Sequence, residues 1–533
     1  MNKRAAWAGG LFLILAAVAW MGSAAAADGA RSGTLTILHT NDFHGRYMPF
    51  AVAPGNATAQ TGDPGRAPQS FARTGKVNGF ARLATAIAQI RRERGPTNVL
   101  LLHGGDTFSD DLLGNLTRGE AIIRLMNAVG YQFMALGNHD FDYGVERTRE
   151  LQRLARFPMR GANVIDQASG RPFLGNPAVI LTAGGLRVGI LALGYHNTDQ
   201  TGSPDNTKGL RFTSGIEAAK RYVPMLRRQA DMVVVLSHQG SKVDRILARE
   251  VPDIDLIVGA HSHDEIAPPE RIGKVRLVQA LSDAAVLGEV TIRVADGQIA
   301  EVRGVAHTLW DDRYPADPGV SRLIERLRAP HRAQLEAVIA TAAERIGRRY
   351  KSESPFDTLA GEILRRHAKA EVAFLPGVGY GVSLSPGPIR REDLYTLLPH
   401  PSKVVSMRLT GAQILAILEQ SATNQKPENP LDAVGGLVQT AGLRWTVDLT
   451  RPIGQRIRDV AVGDAPLDPD RSYRVVTHSG MLQGIHRYGT FAEGRDIERT
   501  EDKVTDVVEA GLRAMGTVRA PALGAVTLIK DET

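Results

Sequence analysis

The chain has no cysteine among its 533 residues. That absence excludes disulfide scaffolds, thiolate zinc fingers, iron–sulfur proteins and cysteine-dependent enzymes, all of which need thiols. Any metal ligands must come from the 14 histidines and 57 carboxylates, donors that suit hard or borderline cations. Dense Lys/Arg blocks with interleaved aromatics are also missing. Lys and Arg outnumber Asp and Glu by 64 to 57, and the net +7 is spread along the whole length. This reads as a basic average rather than a nucleic-acid surface, so no nucleic acid polymer is expected as a partner. No apolar run beyond the N-terminus is long enough to span a bilayer. Internal repeats are absent.

What is present begins with an export pattern. Lys3 and Arg4 precede a nearly continuous apolar run over Ala5–Trp20, and small residues follow through Ala27. A charged start, an apolar stretch and a small-residue end form a signal peptide over 1–27, cleaved near Ala27–Asp28. A membrane anchor of about 20 residues is the alternative reading, and the small-residue end argues against it. The mature chain is expected to be periplasmic or secreted, without a stable membrane span.

From Thr34 onward, short Val/Ile/Leu-rich runs alternate with amphipathic helices. Strands are predicted at 34–38, 99–102, 133–136, 188–193, 232–236, 256–258, 275–280 and 287–294. Helices are predicted at 80–92, 119–129, 145–155 and 214–228. This alternation predicts an α/β fold with a largely parallel core. Residues 51–75 read as an excursion loop. After a Pro- and Asp-rich break at 311–318, a long polar helix is predicted over 320–345, interrupted near Pro330. A second α/β region follows, with helices at 356–367, 411–420 and 501–515.

The chemistry sits where strands end. In the first region, Asp42-x-His44-Gly45, His103-Gly-Gly-Asp106, Gly137-Asn138-His139-Asp140-x-Asp142, Ser237-His238 and His261-x-His263 each follow a predicted strand. Carboxyl ends of parallel strands are where open α/β sheets bind ligands. Alone, each fragment has an ordinary reading: an Asp before a helix caps it, and a Gly-Asn-His run can be a turn. Five such loops converging would gather about seven N and O ligands. An extended backbone would put both side chains of Asp42-x-His44, and of His261-x-His263, on one side.

These five segments resemble the motifs of calcineurin-like metallophosphoesterases, and the whole mature chain resembles the secreted bacterial 5′-nucleotidases. The resemblance implies an N-terminal four-layer αββα metallophosphoesterase domain over 28–310. A linker helix over 311–350 and a C-terminal α/β substrate domain over 351–533 would follow. It implies two divalent metal ions, drawn from Mn, Zn, Co, Fe or Mg. One would be held by Asp42, His44, Asp106 and His263. The other would be held by Asp106, Asn138, His238 and His261, with Asp106 bridging. His139 and Asp142 match the family's catalytic dyad in spacing. The substrate would be a small-molecule phosphate ester, with nucleotides as the default.

The second region departs from the family where nucleosides are recognised. The first glycine-rich segment reads Pro376-Gly-Val-Gly-Tyr-Gly381 and carries no Arg. His400 stands after Leu398-Pro399, where the family usually has Phe. The last segment, Gly484-Ile-His486-Arg487-Tyr488, lacks the expected Asp. The aromatic that normally precedes that segment is not evident in Ser479-Gly480-Met481; a base–aromatic stack is worth about 1–3 kcal/mol, so losing both aromatic partners weakens base affinity. His400, His486, Arg487 and Tyr488 are candidates for a more polar contact set, or ordinary loop residues. The thiosulfohydrolases share this two-domain plan and also lack the nucleoside pocket, but they typically replace the dyad histidine, which is present here. Sulfur-ester hydrolysis on a carrier protein, and a metal-retaining protein without turnover, are the alternatives to phosphoester hydrolysis.

Overall fold

The computed structural model describes residues 31–54, 71–108, 111–378 and 383–530. The expected signal over 1–27, most of the predicted excursion loop and residues 379–382 of the first glycine-rich segment lie outside them.

The predicted strands of the first region form two sheets, as the four-layer αββα expectation requires. The first has the order Gln298–Thr308, Val286–Ala295, Gly33–Thr40, Val99–His103, Phe133–Ala135, Met159–Arg160. Its last four strands run parallel, and the first two pair antiparallel at one edge. The second has the order Glu265–Ile272, Val275–Ala280, Leu256–Gly259, Met232–Ser237, Leu186–Leu193, Ala178–Ala183. Its four central strands are parallel, flanked by antiparallel edges.

The side-chain period of two explains the layering. Leu35, Ile37, Leu100 and Leu102 face Val188, Ile190, Val234, Leu236 and Val258 across the space between the sheets. The intervening residues Leu38 and Leu101 pack instead under the helices Phe80–Arg94 and Glu120–Val129. On the far side, Leu191, Val233, Val235 and Ile257 meet the helices Gly215–Arg227 and Ser241–Glu250. The result is helix, sheet, sheet, helix. Burying both faces requires strands that are apolar at every position, which is why these runs show no alternation. Each fully buried Leu or Val contributes about 1.5–3 kcal/mol.

The helix expected over 320–345 is shorter. Asp317 caps its start by accepting from Val320 N, and the helix runs Pro318–Arg328. Pro330 interrupts it, a short turn Arg332–Leu335 follows, and Val338–Ala342 is already a strand. That strand, inside the stretch expected to be the linker helix over 311–350, pairs antiparallel with Gly387–Arg390. The cause is local: Val338–Ala342 mixes exposed and buried residues as a half-covered strand does, and its backbone finds sheet partners. Arg328, 3% exposed, binds Tyr47 of the first unit at 2.8 Å and Glu392 of the second at 2.7 Å, tying both to the connector.

The second unit centres on a sheet ordered Gln439–Ala441, Val372–Leu375, Ser472–His478, Lys403–Thr410, Arg495–Lys503. Helices Pro355–His367 and Val504–Met515 cover one face. Helix Gly411–Gln425 covers the other, started by a Thr410–Gln413 capping box. Among the described residues, no helix is long and apolar enough to cross a membrane.

Candidate metal centre

The parallel strands of both sheets end side by side, and their loops meet. Asp42, His44 and His263 bring ligand atoms within 4.8 Å of one another; Asp106, His238 and His261 form a second such group. Asp106 also falls in a group with His44 and His139, so the second group adjoins the first through His44. His44 Nε2 lies 3.0 Å from His263 Nε2, and His263 Nε2 lies 3.4 Å from Asp42 Oδ1. His238 Nε2 lies 3.1 Å from Asp106 Oδ2 and 3.9 Å from Asp42 Oδ1.

The convergence does not use extended backbone. Asp42, His44, Asp106, His261 and His263 all have positive φ, between 47° and 73°. Strand alternation, expected to align the Asp-x-His and His-x-His pairs, is therefore replaced by left-handed turns. Each such non-glycine residue costs about 1 kcal/mol or more, and the surroundings must hold it. Hydrogen bonds do so: Asp42 N donates to Gly105 O at 2.9 Å and His44 N to Asp106 O at 3.0 Å, zipping two loops together. Gly105 and Gly137 permit the close approach. A Cβ on Gly137 would collide with Asp106 Oδ1, and one on Gly105 would stand 2.6 Å from Gly137 N.

Supporting contacts orient the ligand set. His238 donates its Nδ1 proton to Gly104 O at 2.8 Å, which aims Nε2 at Asp106. Asn41 donates to Asp42 Oδ2 at 2.6 Å, and His261 N donates to the same oxygen at 3.0 Å. Asp140, part of the Gly-Asn-His-Asp motif but given no role from sequence, accepts from Gly137 N, Thr107 N and Asp106 N at 2.7, 2.9 and 3.1 Å. It builds the loop rather than entering the cluster, and burial followed by the neighbouring Asp106 charge pushes its carboxyl up to about 7. His103, also in a strand-end motif, stacks on Phe43 at 4.1 Å and bonds Thr40 Oγ1 at 2.9 Å, as a core residue.

Electrostatics favour a cation. Burial alone would raise Asp42 and Asp106, but the facing imidazoles outweigh it and hold both carboxylates well below their usual range. Burial, then the charge of His238, depresses His261 to about 3, and burial also lowers His44. His238 and His263 go the other way: burial opposes their charge, yet Asp106 and Asp42 beside them lift both. Carboxylates that hold protons on facing imidazoles hold a metal ion in their place, since ligation requires neutral rings and ionised carboxylates. Asn138 Oδ1 is buried without a hydrogen-bond partner. An orphaned acceptor in a cluster of N and O donors fits divalent ions.

Beside the cluster, His139 Nδ1 lies 2.7 Å from Asp142 Oδ2. Burial would raise Asp142, but His139 and then His400 hold it low. An ionised carboxylate only accepts, so Nδ1 carries the proton. His139 N also donates to Asp106 Oδ1 at 2.8 Å, linking the pair to the cluster.

A cavity of about 470 Å³ opens over these residues between the two units. Of the four candidate substrate residues, His400 and His486 line it. His486 does so from a left-handed backbone, φ 51°. Arg487 instead joins the units, donating to Gln200 at 2.5 Å and Asp432 at 3.2 Å. Tyr488 is 1% exposed and packs in the second unit's core with Phe374 and Phe491, away from the cavity. Tyr195, not singled out from sequence, lies with its ring 3.9 Å from that of His261 and donates to Ala433 O at 2.9 Å.

Comparison with known proteins agrees with this arrangement. Residues 35–265 match the calcineurin-like phosphoesterase family, and residues 338–493 match the 5′-nucleotidase C-terminal domain. An apyrase of Tabanus yao is 27% identical over 90% of this chain and 91% of its own. The crystal structure of a 5′-nucleotidase precursor from Thermus thermophilus superposes with TM-score 0.84 at 27% identity, covering 94% of this chain and 100% of that one. A T. thermophilus sulfate thiohydrolase, SoxB, in complex with glycerol superposes with TM-score 0.85 at 28% identity, covering 94% and 97%. With both domains matched in this order and a His/Asp cluster suited to divalent ions, the chain belongs to the 5′-nucleotidase family of metal-dependent phosphoesterases.

Proposed function

We propose that the chain is an exported hydrolase of phosphomonoesters, 5′-nucleotides among them, working with two divalent ions. One ion is assigned to Asp42, His44, Asp106 and His263, the other to Asp106, Asn138, His238 and His261. The observation that carries this reading is the His139–Asp142 pair, hydrogen-bonded at 2.7 Å against a cluster of buried Asp and His side chains. Divalent ions held there neutralise phosphoryl charge and acidify a water. The chain's own residues do the rest. Asp142 holds His139 through Nδ1–H, and with Nε2 also protonated His139 donates to the phosphoryl group and passes the Nε2 proton to the leaving oxygen, ending as the neutral Nδ1–H ring. The cavity excludes bulk water around the ester. Export rests on the signal pattern at 1–27, with domain limits near 28–310 and from about 338.

The nucleoside site is degenerate. At the family's aromatic positions the described cavity is lined by His400 and by Ser479 and Gly480, and Tyr488 is in the core. Discrimination of AMP from other nucleoside monophosphates is expected below about 100-fold in kcat/KM. The test is a substrate panel with Mn, Co, Zn and Mg supplied separately. Hydrolysis of AMP and p-nitrophenyl phosphate that collapses in His139→Ala supports the reading. No phosphatase activity with two metals bound overturns it. A second reading, sulfur-ester hydrolysis on a carrier protein, draws on the likeness to the sulfate thiohydrolase. Turnover of a thiosulfonate ester with none of AMP would favour it.

A further inference from the structure

We propose that His400, from the second domain, is a positioning residue that completes the His139–Asp142 pair across the domain boundary. The inference rests on the phosphomonoesterase reading and assigns His400 a part in turnover rather than in base binding.

His400 Nε2 lies 3.0 Å from Asp142 Oδ2, the same oxygen that His139 Nδ1 meets at 2.7 Å. Asp142 is ionised, so it accepts from both rings. Two donors converging on one oxygen leave the carboxylate little freedom to rotate, and its fixed direction sets the plane of His139. The two imidazoles lie nearly parallel, 20° apart with centroids at 5.6 Å. His139 in turn meets His44 edge-on at 5.3 Å. A row of rings therefore leads from the metal ligands through the dyad to the second domain.

The loop bearing His400 is built to hold it. Pro399 and Pro401 flank it, and each fixes a φ and restricts the residue before it. Asn115 of the first domain donates to Pro399 O at 2.8 Å, and Tyr143 OH steadies Asn115 at 3.1 Å. The neighbouring clasp repeats the pattern: His196 and Asn197 reach Leu431 O at 2.7 and 2.8 Å. The dyad acquires its third member only when the domains dock. Nε2 meets Asp142 on the wall of the same cavity, so that nitrogen is committed to the dyad rather than to a base.

The experiment compares wild type, His400→Ala and His400→Gln on AMP and on p-nitrophenyl phosphate, which has no nucleoside. Outer partners of this kind are typically worth 10- to 100-fold in activity. His400→Ala is expected to lower kcat on both substrates on the order of tenfold or more, with KM within about twofold. His400→Gln, whose amide can still donate to Asp142, is expected to recover most of the loss. Unchanged kcat, a defect confined to KM for AMP, or a glutamine variant no better than alanine would overturn the proposal. A fall in melting temperature shared by both variants without rescue would do the same. Wild-type inactivity on every phosphomonoester would sink the functional reading alone. The geometry is then read by ¹⁵N-histidine NMR. A slowly exchanging His400 Nε2 proton that disappears in Asp142→Asn supports the link, and a fast-exchanging signal indifferent to Asp142→Asn refutes it.

Discussion

The two sides of the cavity are built differently. On the first domain's side, side chains are set by backbone: five left-handed residues in loops hydrogen-bonded to one another at the ends of buried strands. On the second domain's side, His400 and His486 stand on loops that depend on contacts with the other domain or on packing beneath them. A cluster that must bring several donors to within hydrogen-bond distance needs rigid elements. A wall that mainly meets a substrate tolerates more replacement, which fits the proposed departure from the family pattern there, with His400 the exception through its contact with Asp142.

This contrast predicts a gradient of mutational effect. Asp106→Ala removes the residue that the proposed assignment gives to both ions. It should cut kcat/KM by roughly 10³-fold or more, the scale of losing several kcal/mol of charge stabilisation. Metal content measured by elemental analysis should fall with it, and chelation of the wild type should mimic it reversibly. Retained activity would break the comparison at its strong end. Next, His139→Ala should lower kcat by about 10²–10⁴ with bound metal unaffected, since it removes acid–base assistance and not a ligand. Metal loss in that variant would move His139 into the ligand set. On the other side, His486→Ala should weaken AMP by about 1 kcal/mol, roughly fivefold, expressed in KM. A kcat effect as large as that of His139→Ala would erase the difference between the two walls. Smallest of all, Tyr488→Phe should leave KM for AMP within about twofold, because the ring is core. Its melting temperature should shift by a few degrees at most, the size of one hydroxyl group. A large KM change would return Tyr488 to the substrate site.

Much of this was legible in residue order. Val99–His103 and Met232–Ser237 were readable as strands because buried parallel strands are short, apolar runs. The metal-capable residues were readable because each followed such a run. The split into two sheets was not legible in the runs themselves and came only with the family resemblance: a run apolar on both faces carries no mark of which strand it pairs with. Nor were the left-handed turns at Asp42 and His261, since these residue types seldom adopt them and only the facing loop makes them hold. Tyr488 illustrates the opposite error. It matched a motif by position, yet its side chain turns into the core beside Phe491.

Sequence alone determined the chemistry on offer. Without cysteine, metal ligands had to be oxygen or imidazole donors, and seven such residues follow predicted strands; donor identity is legible because it is a local, covalent property. Tertiary structure alone decided which of them lie within reach of one another, that Asp106 comes near His44 as well as His238 and His261, and that His400 reaches Asp142 from 258 residues away. The reason is physical. Those distances depend on sheet packing and domain docking, sums of many weak contacts that no single residue encodes.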